Sequence, residues 1–270
     1  MLRSIPTPTI SVVEIGPLTV HFYALCIITG IAIAIWMGEV RFRKNGENLQ
    51  GVVSDIAMWS VPAGIIGGRI YHVLTSPDQY FGSGGHPLDA IKIWEGGLGI
   101  WGAISLGSVT AFFAYKNLAK SKELPKFAFF LDALAPGVLI AQGIGRFGNW
   151  FNGELFGRPL NAPFALEIPA NLRPVGFEKF ETFHPTFAYE ALWCFLIAGI
   201  LIWLTPRLKA GMTFTLYVFL YCVGRFFIEA LRIDSAHTIM GLRLNVWVSV
   251  VVGLISLGVF ARISRQSGRL

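Results

Sequence analysis

The chain has 270 residues, of which 54% are hydrophobic and only 14% are charged, and its mean hydropathy is +0.59. This composition does not suit a water-facing surface, so it excludes soluble enzyme folds and predicts a membrane protein. The net charge of +6 comes from basic residues in short clusters between apolar runs, a pattern that sets orientation in a bilayer and argues against nucleic acid as a partner. The three cysteines lie in apolar runs without metal-ligand spacing, so we expect no disulfide, metal or cofactor.

Seven stretches, in chain order, are long and apolar enough to cross a membrane as helices of about 20 residues. They lie at 18–38, 52–75, 97–116, 127–148, 186–205, 211–231 and 244–263. The sequence therefore predicts an all-α membrane protein with seven transmembrane helices, in a single polytopic domain over 1–270. Pro, Asn and Glu collect at 149–185, between the fourth and fifth helices, and predict a small extracytoplasmic cap there. The glycines of 64–68 and 96–102 predict helix contact surfaces.

The distribution of basic residues predicts the orientation of the chain. Twelve of the 22 lie in the linkers after the first, third and fifth predicted helices and in the C-terminal tail, against six on the opposite side. Because cytoplasmic loops carry an excess of Lys and Arg, the N-terminus is expected outside and the C-terminus in the cytoplasm.

The remaining basic residues are arginines inside the predicted helices. They are Arg69, Arg146, Arg225 and Arg232. Each costs about 2.5 to 3.5 kcal/mol at a helix centre, so together they require a reason. The orientation places all of them toward the outer leaflet, at the level of Glu190 and Glu229, where the excess of positive charge favours an anionic ligand such as a phospholipid phosphate. The alternative is that these arginines extend to outer headgroups and only fix helix depth.

A polar stripe lies on one face of the sixth predicted helix, because its members are spaced at i, i+4, i+8 and i+11. It consists of Tyr221, Arg225, Glu229 and Arg232. The carboxylate between two arginines can be a simple intrahelical ion pair, and it can also orient a guanidinium toward a phosphate.

The segment with the most polar residues, 145–157, follows at the outer end of the fourth helix. Its candidate site residues are Arg146, Asn149, Asn152, Glu154 and Gly157. Amide side chains both donate and accept hydrogen bonds, and glycine allows close approach of a ligand to the backbone. The alternative interpretation is a Gly- and Asn-rich helix end and turn.

This segment resembles the signature of the bacterial prolipoprotein diacylglyceryl transferases, Gly-Arg-x-x-Asn-Phe-x-Asn-x-Glu-x-x-Gly, with Trp150 where the family usually has Phe. The resemblance covers about residues 17–263 and includes other landmarks in the same order. These are Gly68-Arg69, His184-Pro185-Thr186, Tyr189-Glu190 and the polar stripe of the sixth helix.

The resemblance implies transfer of the diacylglyceryl group of phosphatidylglycerol to the lipobox cysteine thiol of a preprolipoprotein signal peptide, the first step of bacterial lipoprotein maturation. It also implies a multi-pass protein of the bacterial cytoplasmic (inner) membrane, surrounded by membrane lipids, with its active site facing the outer leaflet. The catalytic residues that it implies are Arg146, Arg225, Glu229 and Tyr23. The lipid-binding residues are expected to be Arg146, Asn149, Asn152, Glu154, Gly157, Arg69, Tyr221 and Arg232.

One position departs from the family pattern. Many members carry a His in the glycine-rich stretch of the third helix that has been proposed as the base, and this chain has Trp101 there. The positive field of the arginines can itself lower the pKa of the substrate thiol, which is about 8.5 when unperturbed. Our hypothesis is that Arg146 and Arg225 clamp the leaving phosphate while Glu229 or Tyr23 assists the proton, with His21 and His184 as other acceptors.

Two other classes of protein stay open at this point. An anion or lipid transporter would continue its polar pathway through the inner halves of the helices, which here are almost uniformly apolar, as at 28–37 and 214–220. A noncatalytic lipid-binding scaffold would not be expected to place Asn149, Asn152 and Glu154 beside the phosphate-binding charge.

Overall fold

The structure is a computed structural model that describes residues 4–16, 18–236 and 238–266. Its helices are α1 (Phe22–Phe42), α2 (Val52–Thr75), α3 (Asp78–Phe81), α4 (Ile100–Leu118), α5 (Phe127–Asn152), α6 (Thr186–Leu204), α7 (Met212–Leu231) and α8 (Leu244–Arg265). Its strands are β1 (Ile5–Pro6), β2 (Val12–Ile15), β3 (Leu18–His21), β4 (Leu166–Glu167), β5 (Thr182–Phe183), β6 (Thr238–Ile239) and β7 (Leu242–Arg243). Each of the seven apolar stretches is thus helical over most of its length.

Two helix boundaries differ from the prediction. The first helix begins at Phe22, because 18–21 pairs as antiparallel strand β3 with β2, so apolar content alone gave too early a start. The fourth stretch continues as helix to Asn152 and ends before Gly153, which has a φ of +60°. Polar side chains do not stop a helix, whereas a residue in the left-handed region does. Asn149 and Asn152 are therefore helical residues.

Within the described ranges, five helical segments are long and apolar enough to cross a membrane. They are Phe22–Asn45, Phe127–Asn152, Thr186–Arg207, Met212–Leu231 and Leu244–Arg265. Helices α2 and α4 do not meet this criterion of length and apolar composition. A mostly helical chain with such segments is an all-α membrane protein, since only in a helix are the backbone groups of one segment satisfied internally.

The chain divides into two compact units. One comprises residues 39–130, and the other comprises 1–38 with 131–270. In the first, α2 and α4 approach closely at glycines: the Gly99 N–H donates to the Gly68 carbonyl at 2.8 Å, and a Cβ at Gly67 would collide with the Gly102 carbonyl oxygen. Small residues permit such close approach of helices, so the predicted glycine contact surfaces are confirmed.

The second unit is built on α5, α6, α7 and α8. Its core contains fully buried side chains from α5 and α6, including Leu139, Cys194 and Leu201. The Asp132 carboxylate accepts hydrogen bonds from the backbone N–H groups of Gly211 and Phe214 and so caps α7, where a negative charge is favoured.

Short strands lie in the loops that connect the helices of this second unit. Between α5 and α6, β4 pairs in parallel with β1 and antiparallel with β5. Between α7 and α8, β6 and β7 form a hairpin. These loops bring the end of α5, the start of α6 and the end of α7 together.

Candidate active site

The end of α5 holds the first group of predicted site residues in one hydrogen-bonded chain. The Arg146 guanidinium donates to Asn149 Oδ1 at 3.2 Å. Asn149 and Asn152 both donate to Glu154 Oε1, at 2.9 and 3.1 Å. The helix holds the arginine and the two amides on successive turns, and the turn after it returns Glu154 to them. This carboxylate orients the amides, and through Asn149 it orients Arg146.

Glu190, on the first turns of α6, joins α5 to α7. Only 3% of this residue is exposed, and its Oε1 lies 3.1 Å from Arg146 Nη2 in an ion pair and accepts a hydrogen bond from the Tyr221 hydroxyl at 3.0 Å. Its other oxygen accepts from Arg225 at 3.0 Å. One buried carboxylate thus fixes both arginines assigned to the phosphate. The sequence placed Glu190 at the same membrane depth as these arginines, but Glu190 was not among the predicted site residues.

Glu229 on α7 is fully buried and contacts three guanidinium groups. Its Oε2 lies 2.6 Å from Arg225 and 3.5 Å from Arg232, and its Oε1 accepts from Arg243 Nε at 2.7 Å. Asn245 also donates to Oε1, at 3.3 Å. The predicted pairing of Glu229 with Arg225 on its own helix is therefore present. Arg232 was expected on the same helix face, but it follows the last residue of α7 with extended backbone, because it pairs with Gly157, and it still reaches Glu229. Arg243 is a further partner.

Asp234 completes the network just beyond α7. Its carboxylate accepts two parallel bonds from Arg232, at 2.7 and 2.9 Å, and one from Arg243 at 2.9 Å. The connected ion pairs form what we call the arginine cluster. Its members are Arg146, Glu190, Arg225, Glu229, Arg232, Asp234 and Arg243. Sequence reasoning missed Asp234 and Arg243 because charged residues are ordinary in loops at a membrane surface. Only the folded loop between α7 and α8 shows that these two side chains contact Glu229 and Arg232.

Gly157 has a steric role at the edge of this cluster. Its backbone bridges to Arg232, its N–H donates to the His184 carbonyl at 3.0 Å, and a Cβ there would lie 2.8 Å from His184 Cβ. No side chain at position 157 fits against the segment that contains His184. Gly157 therefore allows the segment between α5 and α6 to approach the end of α7, which is a structural basis for its place in the motif.

The other candidates for proton transfer lie in different surroundings. Tyr23 is 38% exposed and packs against Gly148, where a Cβ would lie 2.5 Å from the tyrosine ring. His184 Nδ1 lies 3.1 Å from the Tyr189 hydroxyl. Burial and the charge of Arg158 lower the pKa of His184 below its ordinary value, so it is neutral at pH 7.

Arg69 belongs to the other unit, 39–130. Its guanidinium donates to the backbone carbonyls of Ala90, at 2.8 Å, of Gly96 and Gly97, at 2.6 and 3.2 Å, and of Asp89. It also lines a cavity of about 370 Å³. These bonds fix the loop after α3, and the part of Arg69 in lipid binding stays a prediction. Trp101, at the start of α4 in the same unit, is 37% exposed.

A very small cavity lies beside the arginine cluster. The cavity has a volume of about 10 Å³, room for about one water, and Arg146, Asn149, Glu190 and Arg232 contribute to its lining. Arg146 Nε is buried without a hydrogen-bond partner in the described structure. A buried guanidinium N–H without a partner is unfavourable, so binding of a hydrogen-bond acceptor at this point would lower the free energy. Over the described residues, no group of three or more His, Cys, Asp or Glu could hold a metal.

Replacement of Asp234 by Asn is expected to destabilise the protein in a pH-dependent manner. Burial opposes ionisation of Asp234, but the hydrogen bonds and charges of Arg232 and Arg243 outweigh it and lower its pKa. The ionised form therefore stabilises the fold above the unfolded pKa of about 3.9, and this stabilisation is lost as the pH falls through the lower folded value. Thermal unfolding in detergent should show the largest difference from wild type near pH 7 and a smaller one below pH 4. Asp78→Asn, at an exposed position, is the control, and a pH-independent difference for Asp234→Asn would contradict the expectation.

Comparison with known proteins gives one consistent result. The family model described as "Prolipoprotein diacylglyceryl transferase" matches residues 10–262. The phosphatidylglycerol–prolipoprotein diacylglyceryl transferase 2 of Streptomyces coelicolor is 51% identical over 255 residues, which are 94% of this chain and 78% of that protein. The transferase of Paenarthrobacter aurescens is 48% identical over 95% of this chain and 82% of its own length. The transferase of Bifidobacterium adolescentis is 43% identical over 98% of this chain and 81% of its own length. The chain therefore belongs to the prolipoprotein diacylglyceryl transferase family.

Proposed function

We propose that this membrane enzyme transfers the diacylglyceryl group of phosphatidylglycerol to the thiol of the lipobox cysteine of a prolipoprotein. In the reaction the bond between a glycerol carbon and a phosphate oxygen breaks, and a bond from the cysteine sulfur to that carbon forms. The thiol loses its proton, and glycerol phosphate leaves. The observation that carries the chemistry is that Glu190 holds Arg146 and Arg225 together at 3.1 and 3.0 Å.

The two arginines have the properties that the leaving group requires. The phosphate diester gains charge as it becomes a monoester, and guanidinium groups fixed in advance stabilise developing charge without reorganisation. Glu190 and Glu229 fix Arg225 from both sides, while Glu190 and Asn149 fix Arg146. The partnerless Nε of Arg146 is the donor that we assign to a phosphate oxygen. Arg232 and Tyr221 support the same surface through Glu229 and Glu190.

The geometry favours different roles for Glu229 and Tyr23. Glu229 is fully buried among three arginines, so its carboxylate is not accessible to a substrate thiol, and we assign it to positioning Arg225. Tyr23 is partly exposed, and we propose that it contacts the reacting groups. The substrate thiol is then deprotonated mainly because the neighbouring positive charge lowers its pKa.

We further propose seven transmembrane helices, with α2 and α4 added to the five apolar segments, an N-terminus outside and a C-terminus in the cytoplasm. The bias of basic residues supports this orientation. It places the end of α5, the start of α6 and the end of α7 on the outer side. The arginine cluster would then face the outer leaflet, with the segment 153–185 as an extracytoplasmic cap over it.

The function is tested by incubating the purified protein with phosphatidylglycerol and a lipobox peptide in mixed micelles. We expect a lipidated peptide and one glycerol phosphate released for each thioether formed, and neither with a Cys→Ser peptide. Retention of phosphatidylglycerol without modification of the peptide would instead support the transporter or scaffold alternatives.

A further inference from the structure

Arg243 stands at the end of strand β7, outside the family motifs identified in the sequence, and yet it makes more polar contacts in the cluster than either assigned arginine. Its Nε donates to Glu229 Oε1 at 2.7 Å, and its two terminal nitrogens donate to Asp234 Oδ2 at 2.9 Å and to the Asp234 carbonyl at 2.6 Å. Its side chain is only 16% exposed. A side chain with this many bonds to charged and backbone acceptors is fixed in place.

The contacts of Arg243 determine how Glu229 meets Arg225. Arg243 and Asn245 engage Oε1 of Glu229, which leaves Oε2 for Arg225 at 2.6 Å. Without Arg243, the buried carboxylate would lose a charged partner on one oxygen and would be expected to turn toward the remaining arginines. Arg225 would then no longer be held in its present orientation.

Arg243 also determines whether the net charge of the cluster is positive or zero. As the structure describes it, the cluster contains the four arginines 146, 225, 232 and 243 against the three carboxylates of Glu190, Glu229 and Asp234. The excess is one positive charge, and it disappears when Arg243 is removed. A neutral buried cluster has much less attraction for an anionic phosphate than a positive one.

We propose that Arg243 is a positioning residue that holds Glu229 against Arg225 and gives the cluster the positive excess that binds the lipid phosphate. This inference rests on the proposed function. It concerns the affinity for phosphatidylglycerol more than the chemical step, because Arg243 is expected to act through the carboxylates and not by touching the reacting atoms.

The test is a set of steady-state measurements on Arg243→Gln, Arg243→Lys, Asp234→Asn and the double variant Arg243→Gln with Asp234→Asn, with phosphatidylglycerol varied in mixed micelles. Arg243→Gln should raise KM for the lipid by about tenfold, the effect of losing one charged hydrogen-bonding partner, with a smaller fall in kcat. Arg243→Lys keeps the charge and should stay near the wild-type KM. In the double variant the excess of one positive charge returns, so KM should fall most of the way back to the wild-type value.

Each outcome separates the inference from a merely structural role. A residue that only braces the hairpin would give a double variant as poor as Arg243→Gln or poorer, and that result would overturn the proposal. So would a wild-type KM in Arg243→Gln. If Arg243→Gln does not fold, Arg243→Lys decides, because a tenfold higher KM with the charge retained would also contradict it. Failure of the wild type to modify the peptide would instead refute the proposed function.

Discussion

Arg225→Ala is expected to lower kcat/KM for diacylglyceryl transfer by at least about 100-fold, the loss seen when one fixed donor to a developing anion is removed. Arg225 forms ion pairs with Glu190 at 3.0 Å and with Glu229 at 2.6 Å. The substitution therefore removes a phosphate ligand and also leaves two buried carboxylates short of a partner. The loss should be measured with phosphatidylglycerol and a lipobox peptide.

The control for this experiment is Arg265→Ala, at an exposed position on the last turn of α8. It removes the same charge far along the chain from the cluster and should keep wild-type activity. A thermal unfolding scan in detergent separates loss of activity from loss of fold. Wild-type transfer by a folded Arg225→Ala protein would refute the phosphate clamp.

Glu190→Ala is the second large expected effect, a fall of about 100-fold or more in kcat/KM, because both assigned arginines lose their common anchor. Glu190 forms ion pairs with Arg146 and Arg225 and accepts a hydrogen bond from Tyr221, so its removal frees both guanidinium groups. Glu190→Gln keeps the shape and one acceptor oxygen but not the charge. It should be less impaired than Glu190→Ala and should still show a lower kcat.

The matched control is Glu123→Gln, which changes an exposed carboxylate in the linker before α5 and should leave transfer unchanged. If Glu190 were only a packing residue, the Gln variant would retain full activity. Full activity of Glu190→Gln would thus remove the argument that a charged anchor fixes the two arginines.

Much of the fold could be predicted, because helices in lipid follow from long apolar runs. The positions of α2, α6, α7 and α8 agree with the predicted stretches to within a few residues. The start of α1 was missed because Leu18 and Val20 of β3 adjoin the apolar run of the helix, and the pairing of β3 with β2 depends on residues 12–15. Hydropathy carries no information on such pairing.

The site could be predicted where its members share one helix or one short motif. The spacing of Arg225 and Glu229 along α7 gave their common face, and the ion pair between them is present, while Arg232 pairs with Glu229 from the first position after the helix. Glu190, Arg243 and Asp234 reach the same cluster from α6 and the loop after α7, which no periodicity relates to α7. The sequence indicated an excess of positive charge, whereas the partners that balance most of it become visible only in three dimensions.

The most direct test of the central claim, that the arginine cluster binds the phosphate of the lipid substrate, is native mass spectrometry of lipid retention. The wild type, Arg146→Gln and Arg225→Gln should be compared in detergent with equal amounts of phosphatidylglycerol and a zwitterionic phospholipid. The account predicts preferential retention of phosphatidylglycerol by the wild type and loss of that preference in both variants. Equal retention of phosphatidylglycerol by all three proteins would contradict it.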